Sequence, residues 1–154
     1  MSGTSATQRL TELGIDLPPV AAPVAAYVPA TLVGNQVWTS GQLPSVDGRL
    51  IATGKLGGEV DQETGVQAAR LAALNALAAA AEVAGGVDHI RRVLKVVVFV
   101  SSEPGFTAQP AVANGASALF GEVFGEAGAH VRSAVGVSVL PLDAPVEVEL
   151  IVEV

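Results

Sequence analysis

The chain contains no cysteine, which excludes a disulfide framework, a thiol nucleophile and a thiolate metal site. Its two histidines, His89 and His130, are the only imidazoles a metal could use, so no metal site is expected. Basic residues are also scarce: eight Lys and Arg stand against fifteen Asp and Glu, a formal net charge of -7. Those eight are scattered, and phosphate binding needs clustered positive charge, so nucleic acid is not an expected partner. No apolar run approaches the ~18 residues that span a bilayer, and no basic segment with an apolar stretch and cleavage site opens the sequence. The expectation is a soluble, cytoplasmic protein with no membrane partner.

What the sequence has in plenty is small and apolar. Half of its 154 residues are hydrophobic, enough for one compact domain with a real core. Ala, Val and Gly supply the positive mean hydropathy, and Ala-rich helices against Val-rich strands describe a tightly packed α/β layer. Side chains this small bury modest area in a monomer, which predicts self-association.

Along the chain, a short helix is expected from Ser5 to Leu13, capped by Ser5 or Thr4 and stopped by Gly14. The following P-P-V-A-A-P reads as an extended connector. From Tyr27, Y-V-P-A-T-L-V-G-N-Q-V-W-T-S-G-Q-L has strand composition on both sides of a Gly-Asn turn, the pattern of a β-hairpin, with Pro29 placing its strand at an edge or bulge. S-V-D-G-R-L is a second turn, leading to a short strand near Leu50 to Thr53. The clearest helix follows Asp61, with Ala69, Ala73, Leu74, Leu77, Ala80, Ala81 and Ala84 on one stripe, Gln67, Asn75 and Glu82 opposite, and Gly85-Gly86 as its stop. V-L-K-V-V-V-F-V is a continuous apolar strand. A second helix runs from about Pro110 to Phe124, its core stripe Val112, Ala116, Leu119, Phe120 and Val123. Two valine-rich strands close the chain. The expected fold class is α+β: a mixed sheet with two helices packed on one face.

Those last two strands, R-S-A-V-G-V-S-V-L-P-L-D-A-P-V-E-V-E-L-I-V-E-V, raise the question of why charge stands in strands of such composition. By pleat, Val135, Val137 and Val139 share one face, and Arg132, Ala134, Gly136 and Ser138 the other. In the second strand Val146, Val148, Leu150 and Val152 alternate with Glu147, Glu149, Ile151 and Glu153. Read as a hairpin, the pair puts its greasy face against the helices and Arg132 on a face that only another copy could cover. Hairpin pairing would match Glu147 with a residue near Ser138, roughly 20 Å from Arg132, so one pocket using both would need a second subunit. An arginine at such a junction is either a carboxylate receptor or half of a structural ion pair. Trp38 is expected under the first hairpin or at an interface, His89 at a turn cap, and His130 on the surface or at a cleft rim beside the last strands.

The hairpin N-Q-V-W-T-S-G-Q-L-P, the strand V-L-K-V-V-V-F-V, and above all R-S-A-V-G-V-S-V-L-P-L-D-A-P-V-E-V-E closely resemble the RidA/YjgF family, also labelled L-PSP endoribonuclease-like. The resemblance runs from Pro23 to Val154, which places a helix and connector over residues 1–22 ahead of a domain over 23–154. It implies a homotrimer of chorismate-mutase-like subunits with clefts between neighbouring chains. It also implies a cofactor-free hydrolytic deaminase that converts small 2-imino acids to 2-keto acids and ammonia. The family's carboxylate-binding arginine falls on Arg132 and its water-orienting glutamate on Glu147. Its cleft tyrosine falls on Tyr27, its Ser-Gly pair on Ser40 and Gly41, and its second-helix asparagine on Asn114. Where the family often has cysteine, this chain has Ala134, which leaves only backbone groups at that position. The N-terminal stretch and the loop S-S-E-P-G-F-T-A-Q-P-A point to a divergent subgroup. A non-catalytic module for small carboxylates or keto acids would use the same arginine. An endoribonuclease is opposed by the acidic balance.

Overall fold

A computed structural model describes residues 3–23 and 26–154. In chain order the elements are α1 (Ala6–Glu12), β1 (Ala30–Val33), β2 (Gln36–Thr39), β3 (Ser45–Val46), β4 (Arg49–Leu50), α2 (Gln62–Ala84), β5 (Arg92–Ser101), α3 (Gln109–Phe124), β6 (Val131–Val137) and β7 (Val146–Glu153). Five strands form one mixed sheet in the order β1-β2-β7-β5-β6, while β3 and β4 make a separate two-stranded ribbon. Within the large sheet β5 and β6 run parallel and the other neighbours antiparallel. The fold class is therefore α+β with a mixed sheet, as the sequence indicates.

Local chemistry accounts for most of the elements. Ser5 accepts from the Gln8 amide while the Gln8 side chain accepts from the Ser5 amide, a capping box that starts α1. Asp61 caps α2 through the Thr64 amide, and Gly85, at φ 85°, ends it in the left-handed conformation that glycine adopts freely. His89 reinforces that end by donating from Nδ1 to the Ala84 carbonyl. The β1–β2 hairpin turns at Gly34-Asn35, and Pro29 precedes an edge strand, where its missing N–H leaves no ladder bond unmade. The expected strand from Leu50 to Thr53 is limited to Arg49–Leu50 of the ribbon.

One face of the sheet carries the core. Val37, Val96, Val98, Val100, Val146, Val148, Leu150 and Val152 are buried beneath α2 and α3. The α3 stripe, Val112, Ala116, Leu119, Phe120 and Val123, is fully buried as its periodicity requires, the larger members contributing about 1.5–3 kcal/mol each. The two helices cross closely: a Cβ on Gly115 of α3 would collide with the Val66 carbonyl of α2. Leu10 of α1 joins the same core, and Thr7 ties that helix down through its amide and hydroxyl to the Asp88 carboxylate.

Three expectations are corrected here. β6 and β7 do not pair as a hairpin: β7 enters between β2 and β5, and β6 takes the outer edge, parallel to β5 after the α3 crossover. This inverts the faces of β6. Arg132 pairs with Val96 and Ala134 with Val98, so Arg132, Ala134 and Gly136 face the helices, whereas Val131, Val135 and Val139 are exposed. Second, Asn75 is buried rather than outward, because α2 packs against the segment that leads into β3. Its amide donates to the carbonyls of Leu43 and Ser45. Third, of the two places expected for Trp38, the one under its hairpin is excluded and the interface remains. It stands half-exposed on the open sheet face, its indole N–H donating to the Gln36 side-chain oxygen Oε1.

Candidate functional site

The sequence-derived site residues fall into two groups. The first forms between β6 and α3. There the Arg132 Nη1 donates to Asn114 Oδ1 at 2.8 Å and to Ser117 Oγ at 3.1 Å. Asn114 and Ser117 lie three residues apart on α3, hence on one helix face. Ala134 follows on the same face of β6, partly buried against the core. Among the described residues no carboxylate lies within ion-pair distance of Arg132; the ion pairs there are Arg70–Glu122 and Arg92–Glu153. Within one copy, then, Arg132 forms no structural ion pair with a described residue.

Behind Ser117 stands His130, for which the sequence leaves a surface position or a cleft rim open. It is partly buried, its Nδ1 2.6 Å from the Gly128 carbonyl oxygen and its Nε2 2.9 Å from Ser117 Oγ. The Phe120 ring meets it edge-on at 5.9 Å between centroids and 85° between planes. Sequence reasoning singled out neither Ser117 nor this use of His130. The available signals were spacings: Ser117 lies one helical turn past Asn114, and His130 two residues before Arg132.

The second group gathers at β7. Glu147 is half-buried, and burial, followed by the nearby Glu149 charge, raises its carboxyl above the ordinary glutamate range. Gly41 covers it so closely that a Cβ there would overlap the carboxylate. The adjacent Ser40 donates its amide to the Pro29 carbonyl and its hydroxyl to the Val28 carbonyl, fixing the segment that bears the half-exposed Tyr27.

The groups lie on opposite faces. Glu147 is in register with Phe99, and Phe99 with Val135, three residues from Arg132 along β6. An odd offset reverses the pleat, so Arg132 looks toward the helices and Glu147 toward the open face. Two strand spacings and three residue rises put their Cα atoms about 14 Å apart. A single copy thus brings Arg132, Asn114 and Ala134 together, and Glu147 against Gly41, with Ser40 next in the chain and bonded to the residue after Tyr27, but not one set with the other. The 20 Å expected from hairpin pairing is shortened, while the separation remains.

The family model described as "YjgF/chorismate_mutase-like, putative endoribonuclease" matches residues 7–154. Protein TCP17 of Trypanosoma cruzi is 47% identical over 145 residues, 94% of this chain and 91% of that protein. The crystal structure of Atu1372, a protein of unknown function from Agrobacterium tumefaciens, is similar with a TM-score of 0.88 and 45% identity, covering 97% of this chain and 92% of that one. E. coli TdcF, solved with bound serine, is similar with a TM-score of 0.64 and 28% identity, covering 90% and 94%. No helix among the described residues is long and apolar enough to cross a membrane. With nearly its whole length matched and the arginine-to-glutamate signature in place, the chain belongs to the YjgF/chorismate mutase-like family.

Proposed function

We propose that this protein is a cofactor-free hydrolase of small 2-imino acids, acting in clefts that join the Arg132 group of one copy to the Glu147 group of the next in a homotrimer. The observation that carries the proposal is the state of Arg132. A guanidinium ordered by two neutral oxygens, with no acidic partner among the described residues, keeps its full charge for an incoming anion. The serine bound by TdcF is a ligand of the matching kind, a small molecule with a carboxylate.

In this reading Arg132 grips the carboxylate of R–C(=NH)–COO⁻, and Ala134 and Gly41 contribute backbone groups beside the reacting carbon. Glu147 takes a proton from water as the water oxygen attacks the imine carbon and returns that proton to the imine nitrogen, giving a carbinolamine. The adduct then collapses: Glu147 takes the hydroxyl proton as the C=O bond forms and passes it to the nitrogen as the C–N bond breaks, and a 2-keto acid and ammonia depart. A carboxyl held above its usual range suits a group that must both accept and return a proton near neutrality. Imines are already electrophilic, so positioning and acid-base help of about 10²-fold to 10⁴-fold suffice.

A coupled assay that traps 2-iminobutyrate generated in situ tests the proposal. Arg132→Ala should abolish turnover with the trimer intact by sizing, and unchanged turnover would refute it. If the wild-type chain binds 2-ketobutyrate without accelerating imine loss, the protein is a carboxylate-binding module. Cleavage of single-stranded RNA that vanishes in Arg132→Ala would instead favour a ribonuclease.

A further inference from the structure

We propose that Ser117 and His130 are positioning residues which aim the Arg132 guanidinium, so that its Nε–Nη2 edge is the one offered to a carboxylate. The inference rests on the reading of Arg132 as carboxylate receptor, and adds how the receptor is set.

A guanidinium has five N–H donors in one plane. Both hydrogens of Nη1 are committed, one to Asn114 Oδ1 and one to Ser117 Oγ. Two fixed directions in a plane fix that plane. They also close the Nη1–Nη2 fork, since its inward Nη1 hydrogen is already used. Among the described residues nothing accepts from the parallel hydrogens on Nε and Nη2, and their spacing matches the two oxygens of a carboxylate.

A serine hydroxyl alone is a poor brace, because it rotates and can turn its own hydrogen toward the arginine. Here its hydrogen has another destination. The Gly128 carbonyl can only accept, so His130 Nδ1 carries the ring proton, and in the neutral ring Nε2 is then an acceptor 2.9 Å from Ser117 Oγ. Ser117 gives its hydrogen to His130 and turns a lone pair toward Arg132. The imidazole is itself held, by Gly128 on one side and the fully buried Phe120 on the other. Orientation passes from the core through Phe120, His130 and Ser117 to the guanidinium. An arginine fixed beforehand has less rotamer freedom to lose when it grasps its anion.

The test compares 2-ketobutyrate affinity by calorimetry with KM and kcat in the coupled imine assay. Ser117→Ala and His130→Ala should each weaken 2-ketobutyrate and raise KM by about 5–20-fold, with kcat within about twofold. The double variant should be no worse than either single one, because the residues act in series. His130→Gln can place an amide oxygen where Nε2 stood, and should recover affinity to within about threefold of wild type. Wild-type affinity in a folded Ser117→Ala, additive losses in the double variant, or no recovery in His130→Gln would each overturn the proposal. Should His130→Ala fail to fold, Ser117→Ala decides, since it leaves His130 packed on Phe120. An Arg132→Ala variant that binds 2-ketobutyrate normally sinks the receptor reading itself. A loss there without effect at Ser117 or His130 sinks only the positioning claim.

Discussion

The Arg132 group and the Glu147 group hold opposite charges by opposite means. Arg132 is steadied by neutral oxygens from α3, with no carboxylate among the described residues at ion-pair distance. Glu147 is half-buried beside a second carboxylate, in a setting that makes its charge costly and its proton exchangeable. In the proposed function one half holds an anion and the other changes protonation. Neither alone would suffice for the proposed imine hydrolysis, and the sheet lies between them.

If that division is right, damage to the two halves should differ in kind. The largest effect belongs to Arg132→Ala, which should lower kcat/KM by about 10²-fold to 10⁴-fold and abolish measurable 2-ketobutyrate binding. Equal binding in the variant would erase the distinction. On the other half, Gly41→Ala should lower kcat by about tenfold with 2-ketobutyrate affinity nearly unchanged, because the new methyl displaces the Glu147 carboxylate. Gly41 has no left-handed backbone to strain, so the substitution reports on that displacement; loss of affinity without loss of kcat would contradict it.

The smallest effect is on stability. The folded-state pKa of Glu147 lies above its unfolded value, so its contribution to stability is fullest below the unfolded value and is lost as pH rises through the folded one. Glu147→Gln should therefore raise Tm by about 1–3 °C near pH 8, with the difference fading toward about pH 4. A variant less stable than wild type at the higher pH would show that the carboxylate is satisfied rather than strained.

The contrast between halves also tracks what could be read from the sequence. Helix α3 was legible down to its core stripe, because Val112, Leu119, Phe120 and Val123 are large enough to mark a face. β7 was legible for the same reason: its alternation of valine and glutamate has one physical solution. β6 was not. Its sequence alternates small residues with valine, and the short connection to β7 imitates a hairpin, while its actual partner is β5, reached across a helix. Reversal of its faces followed from that one pairing. Asn75 was hidden by a similar non-local cause, since the carbonyls that satisfy it belong to Leu43 and Ser45. Arg132 and Glu147 stood out in their strands, Tyr27, Ser40, Gly41 and Asn114 were named through family resemblance, and their division between faces needed the register. Ser117 and His130 carry no signature of their own, and only the packing of α3 on β6 shows what they touch.

The separation of the two halves can be tested most directly by mixing them. Arg132→Ala and Glu147→Gln chains should each be inactive alone, yet co-expressed in equal amounts they should regain about a quarter of wild-type turnover, the share of junctions in a random trimer that unite an intact Arg132 with an intact Glu147. Mixed assemblies, confirmed by mass, that stay as inactive as either parent would mean that both residues serve one chain's own pocket, or that they do not share one at all.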